Sequence, residues 1–556
     1  MKINNLRLTL ISMALATMPF MFASAQLYWD GTSTTGDADG GDGTWDTTAL
    51  NWDDAATAGT DVSWTAAESA IFGGTAGIID LGASVDVTGL TFNTSGYVIR
   101  ENGSTNTITF SSAGDFNVAG TTATVAAAIA GTNKITKTGA GELQLFDRRD
   151  PGTGFENFAD ANTFSGGFDI AAGRVTIADL GDENLERSYF GASSNTVTFT
   201  GNAEIFAFTG TATLAQDFAI NTGVTATFVV GDRDAILIEG VLSGDGLLRT
   251  QAGSMGGVVH FQNTANTFTG DVRVESGGSG RTEFRVSSFT DTVGSVIELV
   301  SNENGGWFVY DNDTNANPLV FNERQIILFG DGNSSNGGNF DRFRIPAIRN
   351  DSGDPLATLT INQDLEITGT GWKRLQLGGS NTGDNTIAGA IPDALGDDVL
   401  HIYKREGNGK WILAGANTYE GNTNVINGTL VLADTGELRF VIGANGVNNQ
   451  ITGGATISLL GEFVMDLTNA STLAGDSWTI VDVASLNETF GSTFTVSSLS
   501  GGAFADNGDN TWSISENGVQ YDFSELDGTL TVVPEPSAFA LIAGFLGLTW
   551  VMLRRR

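Results

Sequence analysis

The feature that most constrains this chain is an internal repeat. Asn162-Thr163-Phe164-Ser165-Gly166 recurs as Asn266-Thr267-Phe268-Thr269-Gly270 and as Asn417-Thr418-Tyr419-Glu420-Gly421, with a variant at Asn385-Thr386-Ile387-Ala388-Gly389. The likeness continues downstream without gaps. Phe168 and Ile170 align with Val272 and Val274, and with Thr423 and Val425, and then Gly173, Gly277 and Gly428 share one offset. Each unit therefore reads as strand, glycine turn, strand, with alternate side chains directed inward. The glycine belongs where the backbone needs a positive φ or passes close to the next coil. A second element precedes the first: Gly139-Ala140-Gly141-Glu142-Leu143 parallels Gly407-Asn408-Gly409-Lys410-Trp411. The stretch from Phe146 to Ala161, with Asp147-Arg148-Arg149-Asp150, has no equivalent of its length in the third copy and is expected to be a loop pushed out of a regular coil.

A unit of this kind cannot bury its apolar face alone, so copies must stack. Elsewhere short alternating runs dominate, such as Thr107-Ile108-Thr109-Phe110 and Thr196-Val197-Thr198-Phe199, broken by Gly, Asn and Asp clusters. The fold class expected is all-β: a right-handed parallel β-helix, or β-solenoid, with a C-terminal β domain or cap. At roughly 20–25 residues per rung and ~4.8 Å between rungs, it would have on the order of 20 rungs and a length near 100 Å. A string of β-sandwiches is the rival, because short strands with frequent turns suit both.

These units resemble the autotransporter-associated β-strand repeat of bacterial surface proteins. The match is strongest from Gly407 to Asp434 and weaker at about 139–179 and 244–277. The resemblance implies a passenger-type parallel β-helix.

Composition closes other routes. The chain has 64 acidic and 27 basic residues, a formal net charge of -37, no Cys and two His. That charge repels phosphates, so no nucleic-acid partner is expected. Without Cys there is no disulfide scaffold, thiol nucleophile or Cys-zinc site.

The ends carry an address. Lys2 and Arg7 precede an apolar run ending in Ala23-Ser24-Ala25, which reads as a secretory signal peptide over 1–25, cut after Ala25 with Ala23 and Ala25 at the cleavage site. At the other end Pro534-Glu535-Pro536 precedes an apolar run and Arg554-Arg555-Arg556. This tail, 534–556, resembles the PEP-CTERM sorting signal. The resemblance implies a transient inner-membrane helix, an exosortase-type processing enzyme, and final residence at the cell surface or in an exopolysaccharide matrix. Between the ends, the repeat solenoid is placed at 26–436, with an N-terminal cap at about 26–75. The C-terminal β domain or cap is placed at 437–533.

Trp29, Trp45, Trp52 and Trp64 crowd the first region. They suit a plug over the open end of a solenoid, or sugar stacking. Asp37 to Gly43, Asp311 to Asn315 and Asp506 to Asn510 are carboxylate-rich loops that fit either solvated turns or Ca²⁺. His260 and His401 sit in strand-like contexts and read as ordinary sheet residues. No catalytic residue and no cofactor are expected. The function expected is structural or adhesive, toward exopolysaccharide or other envelope components. The alternative is a polysaccharide lyase or glycoside hydrolase on the same scaffold, recognisable by a paired-carboxylate groove.

Overall fold

The computed structural model describes residues 26–101, 105–146, 161–179, 188–253, 255–276, 280–301, 305–313, 316–331, 345–370, 373–396, 399–486, 489–533 and 536–554. Ala23, Ala25, Gly277, Pro534, Glu535, Arg555, Arg556 and the Asp147–Asp150 stretch lie outside the described residues.

Consecutive strands cycle through three parallel sheets. Thr196–Phe199, Ala203–Ala207 and Thr211–Leu214 belong to three different sheets, and the next three strands, Asp217–Ile220, Thr225–Val230 and Ala235–Ile238, repeat that order. Each lies parallel to its predecessor one turn earlier: Val197 beside Phe218, Ile205 beside Phe228, Ala212 beside Ile236. One turn of this region takes 21 to 24 residues, the separations within these three pairs. The three long sheets hold 12, 13 and 11 strands, and six- and four-stranded parallel sheets take over toward the C-terminus. The chain is thus a parallel β-helix. A series of sandwiches would need antiparallel sheets stacked face to face. The 13-stranded sheet alone spans about 60 Å at ~4.8 Å per strand.

The alternating sequence explains the burial. In Thr196–Phe199 and Ala235–Ile238 every second residue is buried, as one-sided strands require. Inside, phenylalanines stack coil upon coil: Phe228 to Phe261 at 5.7 Å, Phe261 to Phe284 at 5.9 Å, Phe284 to Phe308 at 6.1 Å. Gly173 and Gly428 turn their corners with φ of 74° and 73°, a conformation that side chains with a Cβ rarely take.

The repeat is out of phase with the coil. After Asn162, the strands Phe168–Ile170 and Gly173–Ile177 join the 12- and 13-stranded sheets. After Asn266, Val272–Ser276 and Thr282–Val286 join the 13- and 11-stranded sheets. After Asn417, Thr423–Val425 and Thr429–Leu432 join the 11- and six-stranded sheets. Each copy starts one face further round, so the uneven spacing in sequence reflects three equivalent corners.

Antiparallel pairing occurs at both ends. Trp52–Asp53 lies between Gln26–Trp29 and Asp61–Val62, antiparallel to both. At the far end, parallel coils run on through position 437, where a C-terminal β region was expected to begin: Glu437–Val441 pairs with Glu462–Asp466, and that strand with Thr495–Ser498. The antiparallel sheet there is made of Ser477–Thr479, Ala505–Asp506, Thr511–Glu516, Val519–Ser524 and Thr529–Val533. A 19-residue helix, Pro536–Arg554, follows. Leu546, Trp550 and Leu553 on it are exposed. Among the described residues no helix is long and apolar enough to cross a membrane.

Candidate binding surface

The repeat residues are structural, and their geometry shows how. Asn162 is buried, accepts the Ile129 amide on Oδ1 at 2.8 Å and donates Nδ2 to the Tyr189 carbonyl at 3.1 Å. The next residue, Thr163, donates its amide to the Ile129 carbonyl. Asn266 repeats this with Leu242 behind and Ser288 ahead, and Thr267 bonds the Leu242 carbonyl. Asn417 does so with Ile391 behind and Glu437 ahead, and Thr418 bonds the Ile391 carbonyl. The asparagine amide therefore stands in for a peptide group where the ladder would break at a corner, joining three successive coils. Phe164, Phe268 and Tyr419 point into the core. A Cβ at Gly166, Gly270 or Gly421 would stand 2.1, 1.9 or 2.1 Å from backbone atoms of the coil behind. These three glycines are required by close approach rather than by backbone angle.

Two further corner residues were missed by the sequence reading. Lys137 is fully buried and donates to the carbonyls of Thr138, Gly139 and Ala172 at 2.8, 2.9 and 3.0 Å. Lys404 does the same with Gly407 at 3.3 Å and Asn427 at 2.9 Å. Ala172 and Asn427 each precede a positive-φ glycine, so both lysines clamp the same turn in different copies. Burial lowers each ammonium to about 8. The available signal was a lysine shortly before each Gly-x-Gly pair. Asn195 is a third omission: it links the Gly167 amide to the Phe164 and Phe190 carbonyls without a Thr-aromatic sequence after it.

The four N-terminal tryptophans offer no face to a sugar. Trp29, Trp45, Trp52 and Trp64 are all at most 2% exposed. Their rings pack on one another, with Trp45–Trp52, Trp45–Trp64 and Trp52–Trp64 centroids at 5.0, 4.9 and 4.8 Å. The sugar-stacking option is thereby overturned for these four rings.

The outer face of the middle coils is laced with charge pairs. Arg249 grips Glu275 with two bonds, at 2.9 and 2.6 Å, and Arg273 bridges Glu275 and Glu298. On the neighbouring sheet Glu283 lies between Arg281 and Arg285, and Arg285 continues to Asp311 and Asp351. Arg349 joins Asp351 to Glu406. The guanidinium groups of Arg281 and Arg349 both lie over the Trp307 ring, at 4.7 and 4.9 Å from its centroid. Burial would raise Glu275 and Glu283, but the arginines outweigh it and hold both carboxyls below their ordinary value. Such groups are poor general acids, which need a raised pKa. His260 is pushed down to about 4, mainly by burial, and contacts the Ser287 hydroxyl. His401 accepts the Asn422 amide on Nδ1. Both histidines act as neutral sheet residues.

Carboxylates in the three acidic loops are occupied by turn donors. Asp37 accepts the Ala58 amide, Asp39 the Ser33 and Thr35 hydroxyls, and Asp42 the Ile78 amide. Asp313 accepts the Gly353 amide, Asp506 the Gly508 amide and Asp509 the Thr511 hydroxyl. A different trio, Asp30, Asp53 and Asp61, brings one oxygen each within 4.8 Å of the others, the one such convergence of potential metal ligands among the described residues.

Residues 135–177 and 406–432 match the Passenger-associated-transport-repeat. Both stretches contain a buried-lysine or asparagine corner and a glycine turn described above. The Asn266 copy, outside those stretches, has the same geometry. Over an alignment of 280 residues that covers 49% of the chain, it is 30% identical to the Adhesin BmaC autotransporter of Brucella suis biovar 1 (strain 1330). The chain spans only 7% of the length of that relative. No solved structure matches.

Proposed function

We propose that this chain is an exported, non-enzymatic rod of the cell surface or extracellular matrix, with an adhesive or structural role. The observation that carries this reading is the fate of the repeat residues. Asn162, Phe164, Asn266, Phe268, Asn417 and Tyr419 are all consumed inside the coil. What repeats outward is the coil's polar face, a long array suited to many weak contacts in parallel. The adhesin relative and the passenger repeats support the same reading. The arginine-held carboxylates of the middle coils favour binding over acid–base hydrolysis. The partners in this reading are exopolysaccharide or other envelope components, with the net charge of -37 keeping rods apart in solution.

Delivery belongs to the same proposal. The signal peptide takes the chain out of the cytoplasm, and the tail beginning Pro534-Glu535-Pro536 holds it at the inner membrane until an exosortase-type enzyme removes it. The test combines fractionation, mass spectrometry of the mature C-terminus and retention on immobilised polysaccharides. The expected result is an envelope or matrix protein lacking Arg554 to Arg556, retained on polysaccharide without releasing reducing sugar. Steady release of reducing ends would overturn the non-enzymatic reading. An intact C-terminus in the outer fraction would overturn the sorting step.

A further inference from the structure

We propose that Asp30, Asp53 and Asp61 bind a divalent cation of the calcium class at the first coil. The three residues come from three neighbouring places. Asp53 is on the central strand of the antiparallel trio, opposite Asp61 on one side and Tyr28 on the other, and Asp30 follows the strand Gln26–Trp29. Asp30 and Asp53 are 0% exposed. Asp30 spends Oδ1 on the Asp39 amide at 2.8 Å. Its Oδ2 and both oxygens of Asp53 are buried without a hydrogen-bond partner among the described residues.

Among the described residues, the other buried acidic residues, Glu275, Glu283 and Asp466, are each paired with arginine. Glu275 and Glu283 each have two arginines. The charged groups acting on Asp53 are Asp30, Asp61 and Asp54, and those acting on Asp30 are Asp39 and Asp61, all acidic. An unpaired buried carboxylate is costly, and three together repel. A cation bound by oxygen removes both penalties at once. The donor set is all carboxylate, with no His or Cys, which selects a hard ion over zinc or copper. Sites of this kind in extracellular modules bind Ca²⁺ with dissociation constants of ~10⁻⁴–10⁻³ M.

Burial first, then the neighbouring acids, push Asp53 up to about 6 from 3.8. The folded chain then binds more protons than the unfolded one between these values, so cation-free stability falls as pH rises from about 4 through about 6.

The experiment uses the whole mature chain and Tb³⁺, whose emission tryptophan sensitises; Trp29 and Trp52 adjoin Asp30 and Asp53 in sequence. Saturable emission displaced by Ca²⁺ is expected, together with a Ca²⁺-dependent rise in the thermal midpoint of tryptophan fluorescence at pH 7.4. Asp53→Asn should cut the emission about tenfold and abolish the Ca²⁺-dependent rise. The variant carries no charge into the buried site, so folding is not at risk. Asp61→Asn, at the half-buried edge, should weaken both readouts, and Asp509→Asn, in an exposed turn, should change neither. Unchanged emission in Asp53→Asn would overturn the site. So would a wild-type chain whose thermal midpoint at pH 7.4 does not rise with Ca²⁺.

Discussion

The repeat corners and the first coil bury polar side chains at similar depth and satisfy them in opposite ways. At the corners, Asn162, Asn266 and Asn417 each accept an amide from the coil behind and donate to a carbonyl ahead. At the first coil, Asp53 is equally buried and neither of its oxygens has a hydrogen-bond partner among the described residues. Asparagine and aspartate have nearly the same shape. The difference is that an amide brings both donor and acceptor, whereas a carboxylate only accepts. An amide can complete a dry corner by itself; a carboxylate needs something positive. The middle coils show a third arrangement, in which Glu283 takes its positive charge from Arg281 and Arg285 of the same chain.

The largest effect is expected where one solution is turned into the other. Asn417→Ala would leave the Ile391 amide and the Glu437 carbonyl without the partner that Asn417 supplies, while the Gly415 carbonyl keeps the Glu437 amide. A loss of about 3–5 kcal/mol is expected, two buried groups being orphaned together. Asn417→Asp keeps the bond to Ile391 and points charge at two carbonyls. It should match the alanine loss at pH 7.4 and recover part of it near pH 4, when the carboxyl takes a proton that it can donate. Denaturant midpoints at the two pH values measure this. Equal losses for Asp at both pH values would mean that the corner tolerates shape but not chemistry.

The glycines come next in size. Gly270→Ala puts a Cβ 1.9 Å from the Gly246 carbonyl oxygen, which belongs to rigid backbone. About 1–3 kcal/mol should be lost, as in other overpacked sites. Gly454 has nothing within 4 Å of its Cβ position, so Gly454→Ala should be neutral or gain up to ~1 kcal/mol. A thermal-shift comparison of the pair separates close approach from glycine content.

This explains how much was legible beforehand. The solenoid was legible because stacking forces a periodic pattern of inward residues, and Phe164, Phe268 and Tyr419 show it by chemistry alone. The corner role of Asn162 was visible as recurrence but not as mechanism, since its partners Ile129 and Tyr189 are about one coil away in each direction. The charge ladder was hidden for the same reason. Arg249, Arg273 and Glu298 are neighbours only once the coil brings them into register. The acidic loops drew attention to Asp37, Asp39 and Asp42 because local density is easy to see. Asp30 and Asp53, each simply following a tryptophan, converge only through the antiparallel strands of the first coil. The phase of the repeat relative to the three faces also depends on coil length, which loops of uneven size obscure.

Lys404 offers a subtler probe. Lys404→Met keeps the stem and removes the bonds to Gly407 and Asn427. A loss of about 1–3 kcal/mol is expected at pH 7. The pH dependence has a definite sign. Burial, with Arg349 adding to it, lowers the folded-state value to about 8 from 10.5, so the unfolded chain binds more protons between these limits. Wild-type stability therefore gains as pH rises from about 8 to 10.5, and the cost of Lys404→Met should grow over that window. A cost that shrinks there would show that the ammonium is stabilised in the corner despite its burial.

The smallest effect belongs to the arrangement with most redundancy. Arg281 is 35% exposed, lies at 2.5 Å from Glu283 and covers one face of Trp307. Arg281→Lys keeps the charge and loses the flat stack. Glu283 retains Arg285, and Trp307 retains Arg349 on its ring. Less than ~1 kcal/mol should be lost, because a partly exposed pair is screened by water and salt. Double-mutant cycles with Glu283→Gln would measure the pair directly. A coupling well above that limit would mean that Glu283 depends on Arg281 as much as Asp53 depends on its cation. A small one would place the weight on Arg285 and leave the first coil as the place where the chain must import positive charge.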